Sequence, residues 1–382
     1  MLFAQKKTSR EEMRKLVSDD LAFSVQQYKT LMKMLPPGEL PKTYEAATNK
    51  LITSDAEWWC SGFYPGTLWY LYEYSSDAVI KEEAERRMAI IKDEVFNTTN
   101  HDLGFKVFCS FGNAYRITGK QEYKEAILSA AKSLASRYRP SIKSIQSWDS
   151  SAKYKCPVII DNLMNLELLE WSSKNGGEKR FDKIAVDHAN TTLQNHFRAN
   201  YSCYHVVDYN LKTGKAERKI TRQGAADSSS WSRGQAWALY GYTMMYRFTK
   251  NNKYLLLAKN ISKFILNNPH LPSDMIPYWD YNAPGIPGAY RDASAAAIMA
   301  SAFLELGRYT KGENRMQYVM AAEKILQTLS SDLYRAKLGT NGGFLLQHSV
   351  GAIPFNSEVD VPLTYADYYF VEALTRYKNW YL

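Results

Sequence analysis

The chain has 382 residues, 45% hydrophobic and 23% charged, which are the proportions of a folded, water-soluble protein. Its net charge of +9 comes from 48 Lys+Arg against 39 Asp+Glu, scattered without a polybasic run. That pattern argues against nucleic acid and leaves an anionic substrate open. No apolar run approaches the roughly 18 residues that span a bilayer, so no membrane insertion is expected. Four dispersed cysteines (Cys60, Cys109, Cys156, Cys203), none in C-x-x-C spacing, argue against a metal or disulfide framework and leave buried free thiols.

From the N-terminus, Met1 to Lys7 lacks an apolar core but ends Phe3-Ala4 as a cleavage site does. Residues 1–10 are expected to be flexible, a trimmed signal of an exported or periplasmic protein; a cytoplasmic location is the alternative. Apolar periodicity then lays out twelve helices in six pairs. Their spans are 11–35 and 66–75, 77–95 and 102–118, 121–138 and 158–173, 181–199 and 230–249, 252–268 and 291–310, and 313–332 and 364–380. A recurring loop marks the pairs: Tyr115-Arg116-Ile117-Thr118-Gly119-Lys120 resembles Tyr246-Arg247-Phe248-Thr249-Lys250 and Gly307-Arg308-Tyr309-Thr310-Lys311-Gly312. Second members such as 293–306 are apolar or small-residue-rich, as a helix buried all round must be; first members such as 81–92 carry Lys and Glu on one face. Six buried helices inside six amphipathic ones predict an all-α fold, an (α/α)6 barrel, in one domain over 1–382. Between 201 and 222, alternation around Lys212-Thr213-Gly214-Lys215 predicts a β-hairpin at the barrel rim.

In such a barrel the starts of the inner helices share one end, so residues distant in sequence converge there. Those starts hold Trp58-Trp59, His101-Asp102, Asp161, Trp231 with Arg233, and Arg291-Asp292. Asp161 lies between Val158-Ile159-Ile160 and Leu163-Met164, surroundings that desolvate a carboxyl and raise its pKa toward neutrality. Asp102 precedes Leu103-Gly104-Phe105 in similar fashion, and two facing carboxylates can divide into an acid and a base. Each is equally well placed as a helix cap. The stretch Asp227-Ser228-Ser229-Ser230-Trp231-Ser232-Arg233-Gly234-Gln235-Ala236-Trp237 supplies cap oxygens and then places Arg and two indoles in the first turn, against the helix dipole. That placement predicts a grip on a flat anion. His205 falls on the hairpin, whereas His188 and His196 share a helix without metal-pair spacing. No H-E-x-x-H, Walker A, G-x-S-x-G or Rossmann fingerprint occurs.

Four motifs then occur in order: Trp59-Cys60-Ser61-Gly62-Phe63-Tyr64-Pro65-Gly66, His101-Asp102-Leu103-Gly104-Phe105, Ile160-Asp161-Asn162-Leu163-Met164-Asn165-Leu166, and Ser230-Trp231-Ser232-Arg233-Gly234-Gln235-Ala236-Trp237. From about residue 20 to the C-terminus, including Tyr365-Ala366-Asp367-Tyr368-Tyr369, the chain resembles glycoside hydrolase family 88, the unsaturated glucuronyl hydrolases. The resemblance implies removal of a 4,5-unsaturated uronic acid from the non-reducing end of lyase-generated oligosaccharides, by hydration of the C4=C5 vinyl ether and not by the usual pair of glycosidase carboxylates. It implies that Asp161 protonates C4 and then accepts a proton from the water attacking C5, with Asp102 as partner. His205, Gln223, Trp231 and Arg233 would hold the uronate, and Trp59, Trp148 and Trp237 would wall the pocket. No metal or cofactor is implied, and a monomer or weak homodimer is expected. The segment 348–363 departs from versions associated with sulfate tolerance at the leaving sugar, so sulfation preference stays open. Alternatives are an unsaturated rhamnogalacturonyl hydrolase acting on pectin fragments, an epimerase or isomerase on the same barrel, and a non-catalytic protein binding acidic glycans.

Overall fold

The computed structural model describes residues 9–382. Of the segment expected to be flexible, residues 1–8 lie outside the described residues. Ser9 and Arg10 instead begin a helix through a capping box, in which Ser9 and Glu12 exchange hydrogen bonds. Twelve α-helices follow the predicted order: α1 (Arg10–Met34), α2 (Phe63–Ser75), α3 (Ala78–Ile90), α4 (Asn113–Thr118), α5 (Gln121–Ser136), α6 (Asn162–Lys174), α7 (Arg180–Asn195), α8 (Ser232–Thr249), α9 (Asn252–Leu266), α10 (Ala293–Arg308), α11 (Gly312–Leu329) and α12 (Thr364–Tyr381). A π-helical segment, Gly104–Gly112, runs directly into α4.

The inner ring is α2, the π-segment with α4, α6, α8, α10 and α12, and each packs on the next until α12 closes on α2. In α8 every residue from Ser232 to Met245 is buried, and in α10 every residue from Ala293 to Gly307. Among the outer helices, α5, α7 and α9 bury one face only. Small residues set the inner spacing: a Cβ at Gly62 would lie 2.0 Å from the Lys106 carbonyl oxygen, so α2 meets the π-segment only with glycine there. The (α/α)6 barrel is therefore the observed architecture. No helix among the described residues is long and apolar enough to cross a membrane, and all four cysteines are free.

The recurring loop ends α4 and α8 on left-handed residues, Gly119 (φ 68°) and Lys250 (φ 55°). Its third copy differs, since α10 ends on Tyr309 and the left-handed residue is Gly312, where α11 begins.

Among the described residues nine short strands decorate one end: β1 (Leu40–Glu45), β2 (Lys50–Ser54), β3 (Tyr138–Arg139), β4 (Ser144–Ile145), β5 (Pro157–Ile159), β6 (Val206–Tyr209), β7 (Ala216–Ile220), β8 (Ser349–Ala352) and β9 (Ser357–Val361). The predicted hairpin is β6–β7, but β5 pairs with β6 to make three strands. The expected helix over 158–173 thus begins late, because Val158 and Ile159 are ladder residues. The hairpins β1–β2 and β8–β9 were not foreseen. Both carry register shifts, and left-handed residues (Asn356, Glu358, Asp360) interrupt the second, which erases the alternation that announces a strand.

At the opposite end, where the inner helices finish, a cavity of about 830 Å³ is bridged by an ionic network. Arg247 pairs with Glu167 and Glu305, and Arg376 pairs with Glu305 and Glu372 at 3.2 Å each. The two arginines outweigh burial and hold Glu305 at about 2. Breaking a buried pair strands its partner, so Arg376→Met should lower stability by about 3–5 kcal/mol. Urea unfolding at neutral pH measures this, and a loss within experimental error would contradict it.

Candidate active site

A strip of backbone hydrogen bonds crosses the end where the inner helices begin. β5 and β6 pair with Ile159 opposite Val206, and beyond them Ile160 N–H donates to the His205 carbonyl at 3.0 Å. On the other edge of β5, Ser147 N–H donates to the Pro157 carbonyl (2.8 Å) and Ile159 N–H to Ser147 Oγ (3.0 Å). His101 N–H donates to the Ser147 carbonyl (3.0 Å), and Asn100 bridges to Trp148. The strip joins four separate segments and β7, paired with β6, adds a fifth; Asp102, Trp148, Asp161, His205 and Gln223 from those segments all line one cavity of about 410 Å³.

Asp161 occupies the N-cap position of α6 yet makes no capping hydrogen bond, and its buried Oδ2 has no partner. Burial raises its carboxyl from 3.8 to about 7; Asp102 adds to the rise, while Arg233 and the Trp237 indole oppose it. The His205 Nε2 lies 3.7 Å from Oδ2. The N–H groups of Arg222 and Gln223 both donate to His205 Nδ1 at 3.2 Å, so the ring proton resides on Nε2. Burial, reinforced by Arg233 and Arg222, pushes the imidazole pKa far down and keeps it neutral. The site therefore pairs a carboxyl poised near neutrality with a neutral N–H donor. Asp102 is less buried and lies 3.4 Å from His101 Nε2.

Arg233 is fully buried beneath the cavity. Its Nη1 donates to Asp292 at 3.3 Å and to the Val350 carbonyl, and Nη2 donates to the Gly351 carbonyl at 2.7 Å and to Gln223 at 3.4 Å. Asp292 also caps α10 through Ser294 N–H. The guanidinium thus ties α8, α10 and the β8–β9 hairpin together, and only Nε is left without a partner. Of the cation expected to help hold an anion, one N–H remains without a protein partner.

Of the predicted residues, Asp161, Asp102, Trp59, Trp148, His205, Gln223 and Arg233 line the cavity. Trp231 and Trp237 do not; they lie behind it. Trp231 packs against His205, centroids 4.5 Å apart and rings tilted by 31°, with Arg233 over its face. A Cβ at Gly234 would fall 2.6 Å from Trp231 Cε3, which explains the glycine in that helix turn. Trp237 is completely buried, against Phe105 and Tyr369. The serine and aspartate run does not cap α8, whose N-cap is Trp231 without a side-chain bond. Ser229 Oγ donates instead to Asp280, Ser230 Oγ to Gln235, and Asp227 accepts from Thr221 N–H.

Sequence reasoning did not single out Asn100, Ser147, Arg222, Gly351, Phe355, Glu358 or Tyr365, which also line the cavity. Most arrive on the β8–β9 hairpin or on loops, with no local signal; Tyr365 was visible only within a longer motif. Glu358 approaches Lys42 at 3.9 Å, and burial raises its carboxyl. Among the described residues no three His, Cys, Asp or Glu side chains gather as a metal site requires.

No protein-family model matches the chain. A Formosa agariphila protein named unsaturated glucuronyl hydrolase is 45% identical over 341 residues, 89% of this chain and 84% of that protein. An unsaturated chondroitin disaccharide hydrolase of Streptococcus agalactiae is 33% identical over 352 residues, 90% and 88% of the two chains. The crystal structure of an unsaturated glucuronyl hydrolase specific for heparin matches with TM-score 0.92 at 43% identity, over 96% of this chain and 97% of that one.

The Asp161 environment has a consequence for stability. A carboxyl raised from 3.8 to about 7 on folding favours the native state fully below 3.8, and this contribution is lost as pH rises to about 7. Asn cannot ionise, so the stability of Asp161→Asn relative to the parent should increase across that window. Urea unfolding at intervals of pH measures the difference; a difference that stays flat would contradict the desolvated carboxyl.

Proposed function

Since this chain belongs to the unsaturated glucuronyl hydrolases, glycoside hydrolase family 88, we propose that its cavity removes a 4,5-unsaturated glucuronic acid from the non-reducing end of glycosaminoglycan-type disaccharides made by lyases. The relatives named above favour this reading over the rhamnogalacturonyl, epimerase and glycan-binding alternatives. The observation that carries the chemistry is Asp161, a buried carboxyl at about 7 with one oxygen free of partners.

Hydration of a vinyl ether needs a group that first gives and then takes a proton. Protonated Asp161 delivers its proton to C4, and the positive charge that forms at C5 is shared by the ring oxygen. Water then bonds to C5 and returns a proton to the Asp161 carboxylate. The hemiketal so formed opens and expels the remaining sugar, and the acid is regenerated. A carboxyl at its ordinary value would seldom be protonated near neutrality, and one raised much further would accept poorly. Asp102, through the charge that raises Asp161, tunes this balance. The His205 Nε2–H, held by the two backbone donors at Nδ1, is directed toward substrate oxygens next to Asp161. The Arg233 Nε–H, which has no protein partner, and the Gln223 amide are donors for the uronate carboxylate. Trp59, joined to Tyr365 at 4.8 Å between centroids, supplies an aromatic wall.

The assay is loss of the alkene's ultraviolet absorbance on a lyase-generated chondroitin, hyaluronan or heparin disaccharide. Asp161→Asn should lower kcat by about a thousandfold or more while binding persists, the scale of a lost general acid and base. For the parent, kcat/KM should fall as pH rises through about 7. Asp102→Asn should move that limb to lower pH, because Asp102 holds the Asp161 value up. Near-normal turnover in Asp161→Asn, or a limb that moves upward in Asp102→Asn, would refute these roles.

A further inference from the structure

The recurring loop of the sequence has no part in the chemistry above. Its arginines, Arg116, Arg247 and Arg308, stand in the last turns of α4, α8 and α10, and all three line the cavity of about 830 Å³ at the far end of the barrel. Arg376 of α12 is a fourth. Arginines so placed offset the negative ends of the helices that converge there. A close-packed end would serve that purpose equally. This end instead holds a chamber larger than the Asp161 cavity, with the exposed side chains of Lys250, Arg308 and Asn379 among its walls.

The floor of the chamber alternates in charge, Arg247 and Arg376 being paired with Glu167, Glu305 and Glu372. Its walls are aromatic: Trp171 packs on Phe108 and Tyr115, at 5.9 and 5.5 Å between centroids, and Trp380 faces in from the C-terminal turn of α12. At the rim, Arg308 lies over Trp380 at 4.5 Å and Lys250 over Tyr309 at 5.3 Å. Among the described residues neither rim cation has a carboxylate within ion-pair distance, whereas Arg116 is taken by Glu73. Rings therefore hold these two charges in place without neutralising them. Thr375 Oγ1, also in the wall, is buried without a partner. Phe105 lines both cavities; it packs on Trp237, and Trp237 on Tyr369, so a layer of rings separates the two ends.

We propose that this chamber is a second binding site, for a small acidic saccharide of one or two rings. Sugar hydroxyls both donate and accept hydrogen bonds, which suits a floor of paired carboxylates and guanidiniums. Trp171 and Trp380 offer flat apolar surfaces to the faces of a pyranose. Arg308 and Lys250 supply the charge for one carboxylate or sulfate at the rim. A phosphate-rich ligand such as a nucleotide would set its charge against the three carboxylates of the floor, and is disfavoured. The volume lies within the range of small-molecule sites, roughly 300–1,000 Å³. The assignment does not depend on the reaction derived for Asp161.

The test uses the full chain labelled with fluorotryptophan, the resonances of interest being assigned through Trp171→Phe and Trp380→Phe. The probe is the saturated hyaluronan disaccharide, glucuronate linked to N-acetylglucosamine, which has no alkene to hydrate. Its addition should shift the fluorine resonances of Trp171 and Trp380 along a saturable curve. The double variant Arg308→Gln with Lys250→Gln should weaken that binding by about tenfold or more, the size of one charge-assisted hydrogen bond. Both side chains are exposed, so the variant should keep the parent's unfolding midpoint. The neutral disaccharide N,N′-diacetylchitobiose should bind the parent more weakly by a similar factor. Shifts confined to the other tryptophans, a curve unaltered in the double variant, or equal affinity for the neutral disaccharide would overturn the assignment. Tighter binding of adenosine monophosphate than of the acidic disaccharide at Trp380 would overturn it as well.

Discussion

The strip of backbone hydrogen bonds across the barrel mouth is the constraint on which the site depends. Inner helices deliver their first residues to one end, but helix packing alone leaves the loops before them free to move. The pairing of β5 with β6, continued to Ser147 and His101, converts those loops into one surface. Asp161 and His205 are 44 residues apart and come together because Ile159 is opposite Val206, not through any local preference. The same ladder holds Asp161 where water is scarce, and burial is the largest influence on its pKa.

A second constraint works from beneath. Arg233 joins the starts of α8 and α10 to the β8–β9 hairpin, so the hairpin that brings Phe355 and Glu358 is fastened to the barrel by a buried cation. That cation also limits how far Asp161 can rise. Burial and Asp102 on one side, Arg233 and Trp237 on the other, leave the carboxyl near neutrality rather than at either extreme. The arginine is thus scaffold first, with only its Nε–H left without a partner.

Much of this was legible in the sequence because it rests on helical periodicity. The twelve helices fall close to where the apolar spacing places them, except that α6 begins at Asn162 and most of the span 102–118 is π-helical; the convergence of Asp102, Asp161, Trp59 and Arg233 follows from barrel geometry. Trp231 and Trp237 were placed in the pocket because indoles beside an arginine look like sugar walls; in fact they back His205 and Asp161. The serine run looked like a helix cap, but Asp280, more than 50 residues later, takes Ser229. Arg222 carried no local signal at all, since Trp148 and Phe355, the rings beside it, are brought to it only by the fold. Phe355 and Glu358 lie on a hairpin too short and too irregular to show alternation.

The most direct test of this account is the titration of Asp161 itself. Carboxyl carbon NMR on protein labelled at aspartate, with Asp161→Asn used to assign the resonance, follows that group without any substrate. The account predicts a midpoint near 7, well above the ordinary 3.8. A midpoint near 4 would mean that the carboxyl is solvated and ionised throughout the neutral range, and the proton-donating role derived for it would fail.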